Sequence, residues 1–223
     1  MSVMDRTEID ALERSLAAAV PVGLSFAVDR IGAKEDFAYE REAALMESAG
    51  VSRQQEFIAG RRLARQAIAR DVPLLVDVDG LPQWPEGWVA SISHSRGLCC
   101  AVAGASAQFA CVGVDLEKTN RLSSAAARRV VHPLEIDFAG EDQLRASLLF
   151  CLKEAFYKAQ FPRWRTAANF QDLALDLDLA CGRAVVAQLA EPFPSGLQQA
   201  ADRLQFRFGF CGDYVVSLCW LAA

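Results

Sequence analysis

The sequence is poor in residues that bind transition metals. It contains two histidines, His94 and His132, and its seven cysteines include no pair spaced as C-x-x-C. A zinc site is therefore not expected, because such sites need several cysteine or histidine ligands. Most of the cysteines lie in apolar stretches, where cysteine behaves as a small hydrophobic residue. Cysteines of this kind favour a reducing, cytoplasmic setting.

Long apolar runs and an excess of positive charge are also missing. The most apolar region, residues 97–114, is interrupted by Ser106, Gln108 and two internal glycines, so it indicates buried strands rather than a membrane span. The first residues, MSVMDRTEID, lack the basic and apolar segments of a signal peptide. The formal net charge of −5 argues against general nucleic-acid binding. We therefore expect a globular protein that uses neither membrane nor nucleic acid as a partner.

What the sequence does contain is a mixed pattern of helices and strands in two similar halves. With 223 residues, 52% of them hydrophobic, the chain is long enough for one domain or two small ones. Helical periodicity predicts long helices over about residues 53–70 and 141–161, the first capped by Ser52. Strand pairs follow later in each half, and the C-terminal third alternates like antiparallel strands.

The stretch VGVDLEKTN carries two acidic residues on one face of a predicted strand. Side chains alternate along a strand, so Asp115 and Glu117 point the same way while Leu116 points opposite. Neighbouring carboxylates repel unless a cation lies between them, and oxygen ligands suit Mg²⁺ bound together with substrate phosphates. A strand that runs out into solvent would show the same pattern. For the motif alone, that second interpretation is favoured.

The predicted helix around FCLKEAFYKAQFP poses a similar choice. Its apolar residues form one stripe, Glu154 and Lys158 lie together on a flank, and Lys153 points elsewhere. A surface ion pair would contribute only about 0.3–0.5 kcal/mol and would imply no function. Alternatively, Glu154 is a third metal carboxylate and Lys158 is a cation for phosphate oxygens. The helix taken alone favours the ion pair.

The first long helix places arginines where apolar residues are expected. Arg61 falls within its apolar stripe and Arg65 lies on the edge, whereas Arg62 points toward solvent. A buried guanidinium without a partner is too costly, so Arg61 and Arg65 must meet carboxylates or an anionic ligand. Guanidinium groups suit phosphate well. A structural salt bridge and a phosphate site remain equal alternatives here.

The segment SISHS lies on another predicted strand. Ser91, Ser93 and Ser95 share one face, and Ile92 and His94 share the other. A histidine beside a glycine turn could bind phosphate, act as a base or be satisfied in the core, and the last case is the commonest. No G-x-S-x-G nucleophile elbow is present, so a Ser-His-Asp hydrolase is not indicated.

In this order, the motifs resemble the 4′-phosphopantetheinyl transferases of the surfactin/enterobactin-synthase type. The similarity covers about residues 53–162 and rests on EFIAGRRLARQAI, PQWPEGWVASISHS, VGVDLE and FCLKEAFYKAQFP. The ordered set is specific, although no single piece is. The resemblance implies an α+β fold made of a pseudo-duplicated pair of subdomains, each a long helix packed on a small antiparallel sheet. The active site would lie at the seam between the two subdomains. The halves would be residues 1–112 and 113–223.

The resemblance also implies an activity and a role for each motif. The protein would transfer the 4′-phosphopantetheine group of coenzyme A to a serine of an acyl or peptidyl carrier protein and release 3′,5′-ADP, with Mg²⁺ as cofactor. The alternatives are a coenzyme A-binding relative without transferase activity and, less economically, an unrelated Mg²⁺-dependent phosphohydrolase. The metal ligands would be Asp115, Glu117 and Glu154. The catalytic residues would be Glu154 and Lys158, and either Glu154 or a metal-bound water would accept the serine proton. Coenzyme A would be bound by Arg61, Arg65, Ser93, His94, Lys153 and Lys158.

The sequence departs from the family pattern in two places. Relatives often carry a lysine or arginine in the loop before P-x-W-P, where this chain has Asp79 and Leu81, and a glycine before S-I-S-H, where it has Ala90. Weaker coenzyme A binding, or another cation in that role, would follow. Carrier proteins present acidic helices, which Arg128 and Arg129 could meet. We expect the protein to act as a monomer.

Overall fold

The computed structural model describes residues 3–191 and 193–223, which form an α+β fold. The α-helices are α1 (Val3–Ala19), α2 (Glu40–Leu45), α3 (Val51–Ile68), α4 (Ser124–Val130), α5 (Ile136–Ala139), α6 (Gln143–Trp164) and α7 (Ser195–Ala200). The strands are β1 (Leu24–Arg30), β2 (Trp88–Ser95), β3 (Leu98–Ala105), β4 (Phe109–Lys118), β5 (Leu173–Asp178), β6 (Arg183–Leu189), β7 (Gln205–Cys211) and β8 (Tyr214–Ala222). Short 3₁₀ helices lie at Pro133–Glu135, Phe170–Asp172 and Ala201–Arg203.

The strands form two antiparallel sheets that repeat one topology. The first sheet has the order β1-β3-β2 and the second has the order β4-β8-β7-β6-β5. In each, the opening strand pairs with the last strand, which pairs in turn with the strand before it. A long helix, α3 or α6, lies in the chain between the opening strand and that hairpin. The predicted repeat is therefore present in the topology. The predicted division between residues 112 and 113 falls inside β4 and stays a prediction.

Helices cover both faces of the sheets. On one face, α3 packs against the first sheet through Leu63, and α6 packs against the second through Leu152. On the other face, Leu12 and Leu16 of α1 belong to a core cluster that contains residues of both sheets. The sequence patterns did not predict that α1 would pack against both sheets. Within the described residues, no helix combines the length and apolar character needed to cross a membrane.

The long helices begin in different ways. Asp142 caps α6, because its side chain accepts hydrogen bonds from the N–H groups of Leu144 (2.8 Å) and Arg145 (3.3 Å). At α3 the N-cap is Gly50, which has extended backbone angles and offers no side-chain cap. The predicted cap at Ser52 is wrong, because the helix begins at Val51 and already includes this serine.

Serine side chains join the two sheets where β2 faces β4. The N–H of Val114 donates to Ser91 Oγ (3.1 Å) and the N–H of Leu116 donates to Ser93 Oγ (3.1 Å). The residue numbers of the partners rise together, so the two strands run parallel. Buried N–H groups need an acceptor, and here alternate serine hydroxyls supply it in place of a neighbouring strand's carbonyl groups. We call this contact the seam.

Gly113 of β4 lets α6 lie close to the sheet. A Cβ atom added at this position would lie 2.0 Å from the carbonyl oxygen of Ala155, a backbone atom that cannot move aside as a flexible side chain can. The close approach brings the turns of α6 that carry Glu154 and Lys158 against the strand that carries Asp115. The missing side chain of one glycine therefore sets the distance between the helix and strand that supply the candidate site.

Gly113→Ser is expected to lower the free energy of unfolding by about 1–3 kcal/mol, because the added side chain must push α6 away from the sheet. Urea denaturation followed by circular dichroism measures the change. Gly50→Ser is the matched control, since nothing lies within 4 Å of a Cβ atom added there and serine is a favourable N-cap residue. A loss for Gly113→Ser no larger than that of the control would contradict the steric argument.

Candidate active site

A cluster of polar side chains lies at the seam, centred on Asp115 of β4. Its Oδ1 accepts hydrogen bonds from Ser93 Oγ (2.8 Å) and from Lys158 Nζ (2.6 Å). Lys158 Nζ also donates to Ser93 Oγ (3.0 Å), which in addition accepts from the N–H of Leu116. The hydroxyl of Ser93 thus uses its donor and both acceptor positions within the protein. The serine holds the carboxylate and the ammonium group together.

Two further carboxylates belong to this cluster. Glu117, two residues after Asp115, accepts from Ser95 Oγ (3.3 Å) and so faces the seam as well. Burial raises the pKa of Glu117, and the charge of Asp115 adds to the shift. Burial also raises the pKa of Glu154 on α6, with further contributions from Asp115 and Glu117. The strand and helix patterns therefore bring the three predicted carboxylates near enough to repel one another.

The carboxylates fit a divalent cation in kind and charge, although they are not preassembled around one. Asp115 Oδ2 is buried and has no hydrogen-bond partner among the described residues, which leaves one oxygen ligand unsatisfied. Within the same residues, no group of three or more His, Cys, Asp or Glu side chains is arranged to hold a metal ion. Burial alone would lower the pKa of Lys158, but the Asp115 carboxylate outweighs it and the pKa is raised. The magnesium site stays a prediction that the unsatisfied oxygen supports.

His94 lies on the opposite face of β2, against α3, as the alternation predicts. Its Nε2 is 3.3 Å from Arg53 Nη1 and 3.8 Å from a carboxylate oxygen of Glu56. Burial lowers the pKa of His94; Glu56 opposes this shift and Arg53 adds to it. The motifs did not identify Arg53. Its position two helical turns before Arg61 on α3 is the signal that could have found it.

The arginines of α3 have different partners. Arg65 forms an ion pair of 2.6 Å with the buried Glu42, so it has a structural partner and needs no anionic ligand. Arg61 is also buried, and burial lowers its pKa to about 10. Its Nε donates to the carbonyl oxygen of Leu74 (2.7 Å) and its guanidinium lies over the ring of Phe57, but no described carboxylate forms an ion pair with it.

Arg62 and Lys153 have partners that the sequence did not predict. Arg62 is not simply solvated, because it forms ion pairs with Asp29 (3.0 Å) and Glu35 (2.9 Å). Lys153 is buried and donates to Glu135 Oε2 (2.7 Å). Consecutive helical residues point about 100° apart, but Lys153 and Glu154 both line one pocket beside α6. The role of Lys153 as a coenzyme A ligand stays a prediction, although its charge is already paired with Glu135.

The roles of Ser93 and Arg65 as coenzyme A ligands also stay predictions, and both side chains already have partners within the protein. Ser93 is 3% exposed and its hydroxyl is saturated by Asp115, Lys158 and a backbone N–H, so it cannot donate to a ligand without breaking the seam. Arg65 is committed to Glu42. Arg61, His94 and Lys158 stay predicted ligands that lack such complete pairing, and Arg53 lies beside His94. The sequence pattern located these groups but could not show which were already paired.

Comparisons with known proteins agree with the resemblance seen in the motifs. The family profile described as 4′-phosphopantetheinyl transferase N-terminal domain matches residues 41–104, and that of the 4′-phosphopantetheinyl transferase superfamily matches residues 111–219. Among solved structures, holo-[acyl-carrier-protein] synthase from Neisseria meningitidis is similar over 52% of this chain and 98% of its own, with 22% identity and a TM-score of 0.39. The corresponding synthase from Thermotoga maritima covers 51% of this chain and 63% of its own, with 19% identity and a TM-score of 0.40.

Curated relatives extend the match over most of the chain. The 4′-phosphopantetheinyl transferase PptT of Mycobacterium tuberculosis is 33% identical over 139 residues, which are 59% of this chain and 61% of PptT. The 4′-phosphopantetheinyl transferase Svp of Streptomyces mobaraensis is 30% identical over 195 residues, which are 83% of this chain and 79% of Svp. These similarities favour an active transferase over a coenzyme A-binding relative that has lost the reaction. With a match of this extent and with profiles that cover both halves, the chain belongs to the 4′-phosphopantetheinyl transferase family.

Proposed function

We propose that the protein transfers the 4′-phosphopantetheine group of coenzyme A to a serine of a carrier protein and releases 3′,5′-ADP. The observation that carries this proposal is the cluster in which Ser93 holds Lys158 on Asp115, beside Glu117 and Glu154. A pyrophosphate resists attack by a nucleophile until its negative oxygens are neutralised. A cluster that combines an ammonium group with carboxylates for a cation suits that task.

The 3′-phosphate of coenzyme A would bind on the α3 side of β2. Arg61 is buried without a carboxylate partner, and Arg53 lies beside His94. The positive charge of Arg53 acts on both of these neighbours, so the three groups belong to one electrostatic site. A phosphate dianion would relieve the mutual repulsion of the cations, and the planar guanidinium groups can each donate two hydrogen bonds to it.

The pyrophosphate would bind on the α6 side of the seam. Mg²⁺ held by Asp115, Glu117 and Glu154 would neutralise the pyrophosphate oxygens when bound. Lys158 is partly exposed and keeps a fixed position through Ser93, so its remaining N–H can donate to a phosphate oxygen. The seam thus orients the one side chain that can contact both the carboxylates and the pyrophosphate.

Transfer requires one bond to form, one to break and one proton to move. The carrier serine oxygen bonds to the β-phosphorus, and the bond from that phosphorus to the departing 3′,5′-ADP breaks. We assign Glu154 as the acceptor of the serine proton, because Asp115 Oδ1 is already bonded to Ser93 and Lys158. Glu154 makes no hydrogen bond or ion pair of its own within the described residues and is only half-buried, so it is free to accept the proton.

A pocket next to Glu154 suits the uncharged pantetheine arm. It has a volume of about 220 Å³ and is lined by apolar side chains together with Lys153, Glu154 and Asn169. Tyr157 and Phe170 contribute aromatic surface, and Ala167 and Ala168 leave room between them. Apolar walls with a reactive carboxylate at one end match an arm that is apolar and amide-rich and that ends at the reacting phosphate.

The carrier protein would dock on the segment between β4 and α6. Arg128 and Arg129 are exposed on α4, and a groove of about 610 Å³ runs beside this helix. Leu134 and Ile136, which are 63% and 59% exposed, add apolar surface at the groove. Cations beside exposed apolar side chains complement an acidic amphipathic helix, which is the surface that a carrier protein presents.

The cellular setting and the oligomeric state remain our expectations. None of the seven cysteines, which all lie in the described part of the chain, forms a disulfide, and this agrees with a cytoplasmic location. The residues assigned above come from one copy of the chain. Transfer would therefore not require a second copy, and we expect a monomer.

Glu154→Gln is expected to lower kcat by about 10²–10⁴-fold, because it removes the proton acceptor and a metal charge while keeping the size of the side chain. Mass spectrometry of an apo carrier protein incubated with coenzyme A and Mg²⁺ measures the transfer as the gain of one phosphopantetheine group. Glu86→Gln, the same change at an exposed glutamate, is the control. Wild-type turnover by Glu154→Gln would show that another group accepts the proton.

Arg53→Ala and Arg61→Ala are each expected to raise the KM for coenzyme A about tenfold or more, because each removes a charged hydrogen-bond donor from the phosphate. Steady-state kinetics should show no such penalty with 3′-dephospho-coenzyme A. Arg61 also contacts the Leu74 carbonyl, so the exposed Arg53 provides the variant that leaves the fold untouched. Arg70→Ala is the control for loss of an exposed cation. An equal penalty with both substrates would refute the phosphate contact.

Arg128→Glu/Arg129→Glu is expected to raise the KM for the carrier protein at least about tenfold at low salt, because it replaces attraction by repulsion. The KM for coenzyme A should stay unchanged in the same assay. Arg41→Glu/Arg70→Glu makes the same charge change at exposed arginines elsewhere. If both double variants weaken the carrier equally, net charge rather than docking on α4 accounts for the effect.

A further inference from the structure

A buried ion pair lies beside the candidate site but takes no part in the steps proposed above. The side chains of Lys153 and Glu135 are 2% and 0% exposed. The ammonium group donates to Glu135 Oε2 (2.7 Å) and to the carbonyl oxygen of Val130 at the end of α4 (2.8 Å). Lys153 directly precedes Glu154 in α6. The pair therefore acts on the helical turn that presents Glu154.

Glu135 connects this turn to two further segments. Its Oε1 accepts from the N–H of Leu175 in β5 (2.8 Å), and its Oε2 also accepts from the N–H of His132 (2.8 Å). One carboxylate thus links α6, the end of α4, the following 3₁₀ helix and β5. Movement of α6 relative to these segments would break charged hydrogen bonds in a buried place, where their loss is costly.

Stability alone is a weak reason for such a pair. Removing two charges from water offsets most of their attraction, and apolar residues of similar volume often stabilise a core as well. Hydrogen bonds differ from apolar contacts in that they fix direction as well as distance. The Glu154 side chain makes no hydrogen bond or ion pair within the described residues. Its position therefore depends on how the backbone of α6 is oriented.

We propose that the Lys153–Glu135 pair positions Glu154 for the divalent cation by fixing the rotation of this turn of α6. The inference rests on the proposed function, in which Glu154 is a metal ligand. Close packing at Gly113 sets the distance of α6 from the sheet, and the ion pair sets its rotation. Lys153 is then a positioning residue.

The test measures the binding of Mn²⁺ alone by electron paramagnetic resonance. Lys153→Met/Glu135→Gln removes both charges and the link between them, while the amide can still accept from the N–H of Leu175. We expect this variant to bind Mn²⁺ about tenfold more weakly than wild type, or worse, the size typical when a group that orients a metal ligand is lost. If it does not fold, Glu135→Gln alone carries the same expectation.

Leu148→Ala is the matched control for stability, because Leu148 is fully buried in the same helix and belongs to the apolar core against the second sheet. It should lower the melting temperature at least as much and leave Mn²⁺ affinity unchanged. Equal Mn²⁺ affinity of the double variant and wild type would overturn the positioning role. So would a loss of affinity in Leu148→Ala as large as in the double variant, or a wild type that binds no Mn²⁺.

Carrier labelling by wild type, measured in parallel, separates this inference from the proposed function. Labelling together with unchanged Mn²⁺ affinity in the double variant would leave the function standing and remove the positioning role. A wild type that binds Mn²⁺ but labels no carrier would remove the function. In that case the comparison of Mn²⁺ affinities still decides whether the pair positions Glu154.

Discussion

Both the fold and the candidate site depend on the hydrogen bonds of the Ser93 hydroxyl group. It accepts from the N–H of Leu116 and thereby joins β2 to β4, and it donates to Asp115 while accepting from Lys158. A side chain without both donor and acceptor would leave a buried N–H, a buried carboxylate and an ammonium group short of a partner. The seam and the charge cluster therefore cannot be altered independently.

Helix α6 is constrained from two sides where it meets this cluster. Gly113 admits the backbone of α6 closely enough that no side chain would fit between them. Lys153, on a different side of the helix, is tied by Glu135 to segments that the chain reaches before and after α6. Glu154 lies between these constraints and makes no bond of its own within the described residues. In the proposed reaction, the rigid backbone would hold Glu154 in place while its unbonded carboxylate could change partners.

Local periodicity predicted the faces of the elements well, but it could not predict partners distant in sequence. Alternation placed Asp115 and Glu117 on one face of β4, and helical spacing separated Lys153 from the flank that carries Glu154. The partner of Lys153 is Glu135, 18 residues away, and only tertiary packing brings the two together. The same limit explains why a structural salt bridge and a phosphate site were equal alternatives for the arginines of α3. The order of the motifs predicted the family, because motif order, unlike tertiary contacts, can be read directly from the sequence.

Polar groups that lack a partner within the protein say more about a ligand than groups that are already paired. Lys153, which is buried, and Arg65, which is largely buried, each have a carboxylate partner. Among the described residues, Arg61 has no carboxylate partner and the second oxygen of Asp115 has no hydrogen-bond donor. The two groups have opposite charges and lie on different sides of β2: Arg61 against α3, and Asp115, whose other oxygen is bonded to Lys158, against α6. In the proposed function, a phosphate of coenzyme A would contact Arg61 and a divalent cation would contact the second oxygen of Asp115. A substrate with a terminal phosphate at one end and a cation-bound pyrophosphate at the other satisfies both at once.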